Sequence, residues 1–210
     1  MGRTILIDND ALLKLARYGL LDEAVAILGC VSTNVCVLAT AKYSLFPVKD
    51  RLRFCKEEES ASRLEGFFRT SNLLNVQSAD PDLLDELTSV PNIDAGEALL
   101  FAVGATNRNS LVITGDKRSL IALCSNDSVA QVSNLLVGRV VSMEVLFSHL
   151  VEYQFNHAQE CVRSKPDADK ALQIIFGVTA PASLESVREG LASYINHLRT
   201  VTGALLYTSF

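Results

Sequence analysis

Short apolar runs alternate with segments of helical periodicity along most of this chain. Residues 3–7 (RTILI), 110–114 (SLVIT) and 139–142 (RVVS) are rich in leucine, isoleucine and valine, which is typical of short strands buried on both faces. Two weaker runs, 30–32 and 73–78, are also predicted as strands. Between these runs, the apolar spacing predicts helices at 10–18, 20–28, 35–45, 50–70, 80–90, 94–108 and 115–125.

This alternation predicts an α/β fold. A central parallel sheet is expected to be covered by helices on both faces, which gives a three-layer α/β/α arrangement. Everything beyond about residue 148 is helical in pattern, including a long amphipathic segment at 183–206. We therefore predict a domain at 1–150 and a C-terminal helical extension at 151–210, with 163–169 as the best candidate for a joint.

The composition is typical of a globular protein with a sizeable core. The 210 residues are 49% hydrophobic and 20% charged, and no apolar stretch approaches the roughly 20 residues that span a bilayer. The start of the chain lacks the apolar segment of a signal peptide, and the five cysteines form no CxxC pair. These features predict a cytoplasmic protein with reduced cysteines and no membrane contact.

The charge pattern bears on nucleic-acid binding. A net charge of −5 argues against a protein that holds long duplex DNA by charge alone, but it leaves RNA open. One stretch is locally rich in basic residues, namely Lys42, Lys49, Arg51, Arg53, Lys56, Arg63 and Arg69. Acidic residues interrupt this stretch, so the pattern favours a solvated helix with mixed i,i+4 ion pairs over a surface for nucleic acid.

Acidic side chains follow the ends of predicted strands. Asp8 ends the first strand, Asp116 follows the strand at 110–114, and Glu97 lies in the first turn of the preceding helix. Because ligands of such sheets bind beyond the carboxyl ends of the strands, we expect these side chains to converge there. Converging carboxylates repel one another unless a cation lies among them, and oxygen ligands suit Mg²⁺ or Mn²⁺. Such a site can activate a water molecule for attack on a phosphodiester, as a nuclease does.

Each acid also has a purely structural interpretation. The pattern fits Asp8 equally as a helix cap or as a metal ligand, and it favours a cap for Asp10. Asp94 and Glu97 match a capping box, and residues 114–116 match a tight turn. It is the combination of these acids, rather than any one of them, that indicates a site.

Three stretches in this order resemble the PIN-domain family, which includes toxin ribonucleases of the VapC type. They are ILIDNDALLKL, IDAGEALLFAV and LVITGDKRSL. Members of the family open with a strand that ends in an aspartate. They carry a later acid at a helix start, followed by a threonine-x-aspartate turn. The final strand and helix, VGRVVSMEVLFSHL, fit the family's closing unit, so the resemblance covers about residues 3–150 and leaves 151–210 unexplained.

The resemblance implies a metal-dependent ribonuclease. Its Mg²⁺ or Mn²⁺ ligands would be Asp8, Glu97 and Asp116, and Thr114 would supply a supporting hydroxyl. The small polar pair after the first strand would shape the first loop; here it is Asn9 and Asp10. Beside the expected site, phosphate contacts or a solvated turn are equally compatible with Lys117 and Arg118.

One departure from the family pattern bears on activity. The family usually has another acid in the helix that corresponds to 35–45, and this chain has no acid between Glu23 and Asp50. Asp10 and Asp94 are the candidates to replace it. Weakened or lost activity is therefore the main alternative.

Two functions follow. The preferred hypothesis is hydrolysis of an RNA phosphodiester, and the resemblance adds an antitoxin or other protein partner and a homo-oligomer as open expectations. The alternative is a PIN-like binding or interaction module with little or no activity. Its C-terminal helix would be available to a partner, although the pattern favours packing of that helix on the protein's own core. A phosphatase of the haloacid dehalogenase type ranks well below both, because Leu12 stands where that signature requires threonine or valine.

Overall fold

A five-stranded, all-parallel sheet forms the centre of the protein. The computed structural model describes residues 2–208. The strands in this range are β1 (Thr4–Ile7), β2 (Val35–Val37), β3 (Asn72–Leu73), β4 (Ser110–Thr114) and β5 (Val140–Ser142). Their order across the sheet is β3-β2-β1-β4-β5, and every pair is parallel. The predicted α/β class with a central parallel sheet is confirmed, and the arrangement is consistent with three layers.

Helices occupy most of the remaining chain. Those among residues 2–208 are α1 (Asn9–Tyr18), α2 (Leu21–Ala26), α3 (Ala41–Leu45), α4 (Glu58–Thr70), α5 (Pro81–Thr88), α6 (Ala95–Thr106), α7 (Lys117–Ser125), α8 (Ala130–Leu135), α9 (Met143–Ser164), α10 (Lys170–Phe176) and α11 (Leu184–Thr202). Within this part of the chain, none of them combines the length and apolarity that crossing a bilayer requires.

The strand order creates a switch point beside β1. The chain adds β2 and β3 on one side of β1 and then crosses back to add β4 and β5 on the other. Ile7, the last residue of β1, is level with Val37 and with Ile113. Asp8 and Gly115 therefore follow neighbouring strands at the point where the order reverses, which is where open α/β sheets bind their ligands.

The sequence prediction is wrong around β2. The pattern predicts a helix over 35–45 and a strand at 30–32, whereas residues 35–37 form the strand and only Ala41–Leu45 is helical. Val35 and Val37 are buried and pair with β1, so strand pairing overrides a helical pattern in this short apolar run. The strand predicted over 73–78 is likewise reduced to Asn72–Leu73, followed by a 3₁₀ turn at Val76–Ser78.

Helices and strands whose first residues are marked by capping residues or by a clear apolar run begin where the sequence predicts. The strand at 110–114 agrees residue for residue with β4. Asp80 caps α5 by accepting from the Asp82 backbone N–H at 3.0 Å, and Pro81 is the first residue of that helix. The capping box of Asp94 and Glu97 is present at the start of α6.

The C-terminal helices pack closely on the rest of the chain. The predicted boundary at residue 150 falls inside α9, which runs from Met143 to Ser164 and has non-helical dihedral angles at Gln154. The chain after α11 returns to the sheet, where Leu206 forms a parallel bridge with Val140 of β5. Tyr207 donates its backbone N–H to the Val140 carbonyl at 2.8 Å.

Ion pairs connect the segment before α10, which contains Asp167 and Asp169, to α1. Lys14 Nζ lies 2.7 Å from an Asp10 carboxylate oxygen and 2.8 Å from one of Asp169. One turn further along α1, Arg17 pairs with Asp167 at 2.7 Å. Lys14 and Asp169 are largely buried, so their ion pair is shielded from solvent more than an ordinary surface pair.

The first testable prediction concerns the packing of α6 on the sheet. A Cβ atom at Gly104 would lie 2.8 Å from Val112 Cγ2, which is buried in β4. We expect Gly104→Ala to lower the free energy of unfolding by about 1–3 kcal/mol, because overpacking outweighs the gain in helix propensity. Gly66→Ala in α4 is the matched control, since no atom lies within 4 Å of a Cβ there. It should raise the free energy of unfolding by about 0.5–1 kcal/mol. Urea denaturation measures both, and equal effects would contradict the packing argument.

The second prediction concerns the ion pairs of Lys14. Lys14→Ala leaves two carboxylates facing each other without their shared cation, so it should cost about 2 kcal/mol of folding free energy. Arg188→Ala is the control, because the Arg188–Glu152 pair is about half exposed on both sides and should contribute only about 0–1 kcal/mol. Chemical denaturation in low and high salt compares the two variants. A Lys14→Ala cost no larger than that of the control would show that the buried ion pair adds nothing.

Candidate functional site

Asp8 is the centre of the site. Its Oδ1 accepts the Ala11 backbone N–H at 2.6 Å, which makes Asp8 the N-cap of α1. Its Oδ2 accepts the Gly115 backbone N–H at 3.0 Å and the Thr114 hydroxyl. One carboxylate thus joins the end of β1, the start of α1 and the end of β4.

The prediction of Asp10 as the cap is wrong. Asp8 has the extended backbone of a cap (φ −77°, ψ 164°), while Asp10 lies inside the first turn of α1. The Asp10 carboxylate instead pairs with Lys14 and lies against Gly115. A Cβ atom at residue 115 would require this carboxylate to move. Asn9, the first residue of α1, has a buried Oδ1 without a hydrogen-bond partner among the described residues.

Burial raises the pKa of Asp8 to about 6. The hydrogen bonds from Thr114, Ala11 and Gly115 lower it, while the nearby charge of Asp10 raises it further. The effect of burial on the pKa is larger than that of the hydrogen bonds, so the charged form of Asp8 is disfavoured in the folded protein.

Glu97 and Asp94 form the second part of the site. The Glu97 N–H donates to Asp94 Oδ1 at 2.8 Å, and the Asp94 N–H donates to Glu97 Oε2 at 2.9 Å. Burial raises the pKa of Glu97 to about 7. The Asp94 N–H and the Ser119 hydroxyl oppose this rise, and the negative charges of Asp94 and Asp116 add to it. The charge of Asp116 makes the smallest of these contributions.

Asp116 is the third part, and it already has a cationic partner. It caps α7 by accepting the Arg118 backbone N–H at 2.8 Å, and the Arg118 guanidinium donates to both carboxylate oxygens at 3.2 and 2.8 Å. These hydrogen bonds hold the pKa of Asp116 below its usual range. The Asp116 N–H also donates to the Thr114 hydroxyl at 3.2 Å, so Thr114 connects Asp116 to Asp8. The role of Thr114 as a supporting hydroxyl stays a prediction.

Lys117 turns away from Asp116 toward the C-terminal helices. Its ammonium lies 2.5 Å from Glu144 Oε1 and 4.8 Å from the ring centre of Tyr194 in α11. The sequence analysis missed Glu144, a buried acid in the first turn of α9 whose Oε2 has no hydrogen-bond partner among residues 2–208. The rule that selected Asp8 and Asp116 would have found it, because Glu144 follows the end of β5 by two residues.

The atoms around the site can be tested for their fit to a divalent cation. All the converging donors are oxygens, which suits Mg²⁺ or Mn²⁺. Within residues 2–208, no group of three or more His, Cys, Asp or Glu side chains is arranged to hold one metal ion. A Mg²⁺ site needs only one or two carboxylates when waters and substrate phosphate complete the shell. Glu97 and Asp116 supply that number of carboxylates, and both oxygens of Asp116, like both oxygens of Asp8, already accept hydrogen bonds.

The fold and the site define an α/β protein with an acidic cluster at the switch point of its parallel sheet. Comparisons of the chain with protein-family models, with curated proteins and with solved structures found no match.

The third prediction concerns the pH dependence of stability in metal-free buffer. The pKa of Asp8 is raised from 3.8 to about 6, so the folded protein binds this proton more tightly than the unfolded chain. Its contribution to stability is fully present below about pH 4 and is lost as the pH rises through about 6. Relative to wild type, Asp8→Asn should therefore gain about 3 kcal/mol between pH 4 and pH 7.

Urea denaturation with EDTA at several pH values measures this difference. Asn75→Ala is a control for the removal of a cap that does not titrate, because Asn75 accepts the Gln77 N–H at 2.9 Å. Its difference from wild type should stay constant with pH. A constant or opposite trend for Asp8→Asn would show that burial does not dominate the titration of Asp8.

Proposed function

We propose that this protein is a PIN-like, metal-dependent ribonuclease. The proposal is carried by one observation, the hydrogen bonds of Thr114 that join the buried carboxylate of Asp8 to Asp116 at the switch point of the sheet. Like charges in a partly buried site are stabilised by a cation between them, and perturbed acids of this kind cluster at functional sites. The central position of β1 and the order of Asp8, Glu97 and Asp116 along the chain support the PIN-like assignment.

Glu97 and Asp116 would hold Mg²⁺ or Mn²⁺ in this proposal. The ion, when bound, supplies an acidified water and stabilises negative charge on the phosphodiester. Asp8 acts as a positioning residue, because its hydrogen bonds fix Thr114 and Gly115 and thereby the turn that carries Asp116. Asp94 keeps Glu97 in place through the capping box. Attack by the water oxygen breaks one P–O bond, and the leaving oxygen takes up a proton.

Arg118 would leave Asp116 when the cation binds. Its guanidinium is 80% exposed and is attached to the site through Asp116 alone among the ion pairs of residues 2–208. Its guanidinium would then be free to donate to a phosphate of the substrate. Lys117 has a different role, because its contacts with Glu144 and Tyr194 join α7 to α9 and α11.

The alternative is a PIN-like module that binds without cutting. Arg118 occupies both oxygens of Asp116, and Lys117 occupies Glu144, so the protein's own cations already balance two of the acids. The helix after β2, α3, carries no acid. These observations favour a site that keeps its shape without a metal ion. An antitoxin, another protein partner and a homo-oligomer stay open under either function, as does a cytoplasmic location.

The fourth prediction tests the enzyme directly. Wild type should cleave labelled RNA in the presence of Mg²⁺ or Mn²⁺ and stop when EDTA is added. Glu97→Gln and Asp116→Asn should each lower the rate about a hundredfold or more, because each removes half of the charge that holds the cation. Asp8→Asn should also abolish most of the activity, since the turn that carries Asp116 loses its support.

Glu185→Gln is the matched control, because Glu185 is an exposed acid in the first turn of α11. Its cleavage rate should equal that of wild type. Metal-independent cleavage that is equal in wild type and in all variants would reject the enzyme. A wild type that binds RNA and never cleaves it with either metal would favour the binding module.

A further inference from the structure

A groove opens at the end of β2, on the same edge of the sheet as the candidate site. Its volume is about 290 Å³, and its lining includes Leu38, Lys42, Glu65, Phe68, Arg69 and Leu73. The groove lies between the start of α3, the end of α4 and β3. It falls within the basic stretch that the sequence pattern assigns to a solvated, mixed-charge helix.

The groove carries a surplus of positive charge. Arg51 and Arg63 pair with acids of the same stretch, as the mixed-charge interpretation predicts. Lys42 and Arg69 differ, because both are exposed and neither forms an ion pair with any residue of the described chain. The one acid in the lining, Glu65, is held by Arg51 at 3.0 Å.

Apolar side chains line the same groove as the two cations. Phe68 is half-buried and its ring is fixed against Phe46 in an edge-to-face contact of 6.2 Å. Leu73 lines the same groove and is 68% exposed, which is unusual for a leucine at the edge of a sheet. Cations beside an aromatic ring and an apolar floor match single-stranded nucleic acid, whose phosphates pair with the cations while its bases stack on the apolar surface.

The groove leads directly to the acidic site. Leu38 follows β2 at the level where Asp8 follows β1, because Val37 is in register with Ile7. Leu38 also packs against Gly96 so closely that a Cβ atom at residue 96 would lie 2.8 Å from it. Gly96 immediately precedes Glu97, so one wall of the groove is continuous with the first turn of α6.

We propose that this groove binds a single RNA strand, with Lys42 and Arg69 contacting consecutive phosphates and Phe68 stacking on a base. The direction of the strand, toward Glu97 and Asp116, rests on the proposed ribonuclease function. Binding of RNA in the groove does not require that function, because neither Glu97 nor Asp116 lines the groove. A duplex is a poorer occupant, since its bases are paired and cannot reach the floor.

Fluorescence anisotropy in EDTA tests the groove without any cleavage. The probes are a short labelled single-stranded RNA, the same RNA as a duplex, and a labelled glutamate-rich peptide of equal charge. The double variant of Lys42→Ala and Arg69→Ala should bind the single strand about tenfold more weakly than wild type at low salt. The slope of log affinity against log salt should fall by about 1.4, or roughly 0.7 for each phosphate that the variant no longer neutralises.

Lys170→Ala is the control, because Lys170 is an exposed lysine at the start of α10, away from the groove lining. It should bind the single strand as wild type does. Equal affinity of wild type and the double variant would overturn the proposal, and so would equal binding of duplex and single strand. Equal binding of the acidic peptide would also overturn it and would indicate a protein partner. Weakened RNA binding by the double variant, together with no metal-dependent cleavage by wild type, would uphold the groove and reject the ribonuclease.

Discussion

The buried carboxylate of Asp8 is the interaction on which the arrangement of the site depends. Parallel strands bring their carboxyl ends to one edge of the sheet, but the chain leaves that edge in different directions after each strand. Asp8 connects these departures, because one side chain accepts from the start of α1, from the last residue of β4 and from the residue after it. The raised pKa of Asp8 reflects the cost of burying this charge. The protein thus accepts a local penalty in exchange for a fixed turn at residues 114–116.

Ion pairs balance several of the acids around the site. Lys14 lies between Asp10 and Asp169, Arg118 covers Asp116, and Lys117 reaches Glu144. Asp8, Asp94 and Glu97 form no ion pair among the described residues, although the charge of Arg118 also acts on Glu97. If the proposed metal ion binds to Glu97 and Asp116, it replaces Arg118 as the cation beside Asp116. Because one cation leaves as the other binds, the net charge of the site would change by less than the full charge of the metal ion.

The sequence allowed a good prediction of what local signals determine. Asp80 with Pro81 and the pair of Asp94 and Glu97 mark helix starts within a few residues, and β4 is a β-branched run with clear ends. β2 was missed because its three residues become a strand only by pairing with β1. The cap was assigned to Asp10 and left open for Asp8, since the difference between the two lies in backbone angles. Glu144 and the pairing of Asp116 with Arg118 depend on distances between atoms, which a linear pattern does not contain.

Both edges of the sheet offer few free backbone groups for pairing with a strand of another molecule. One edge is β3, which is only two residues long, and at the other edge the chain after α11 covers the end of β5 through Leu206 and Tyr207. A short edge and a covered edge both leave few free backbone groups for a foreign strand. Growth of the sheet by adding strands from another molecule is therefore disfavoured at both ends. Association between copies of this protein is then expected to use surfaces other than the sheet edges, and the parallel strands of each chain would pair only with one another.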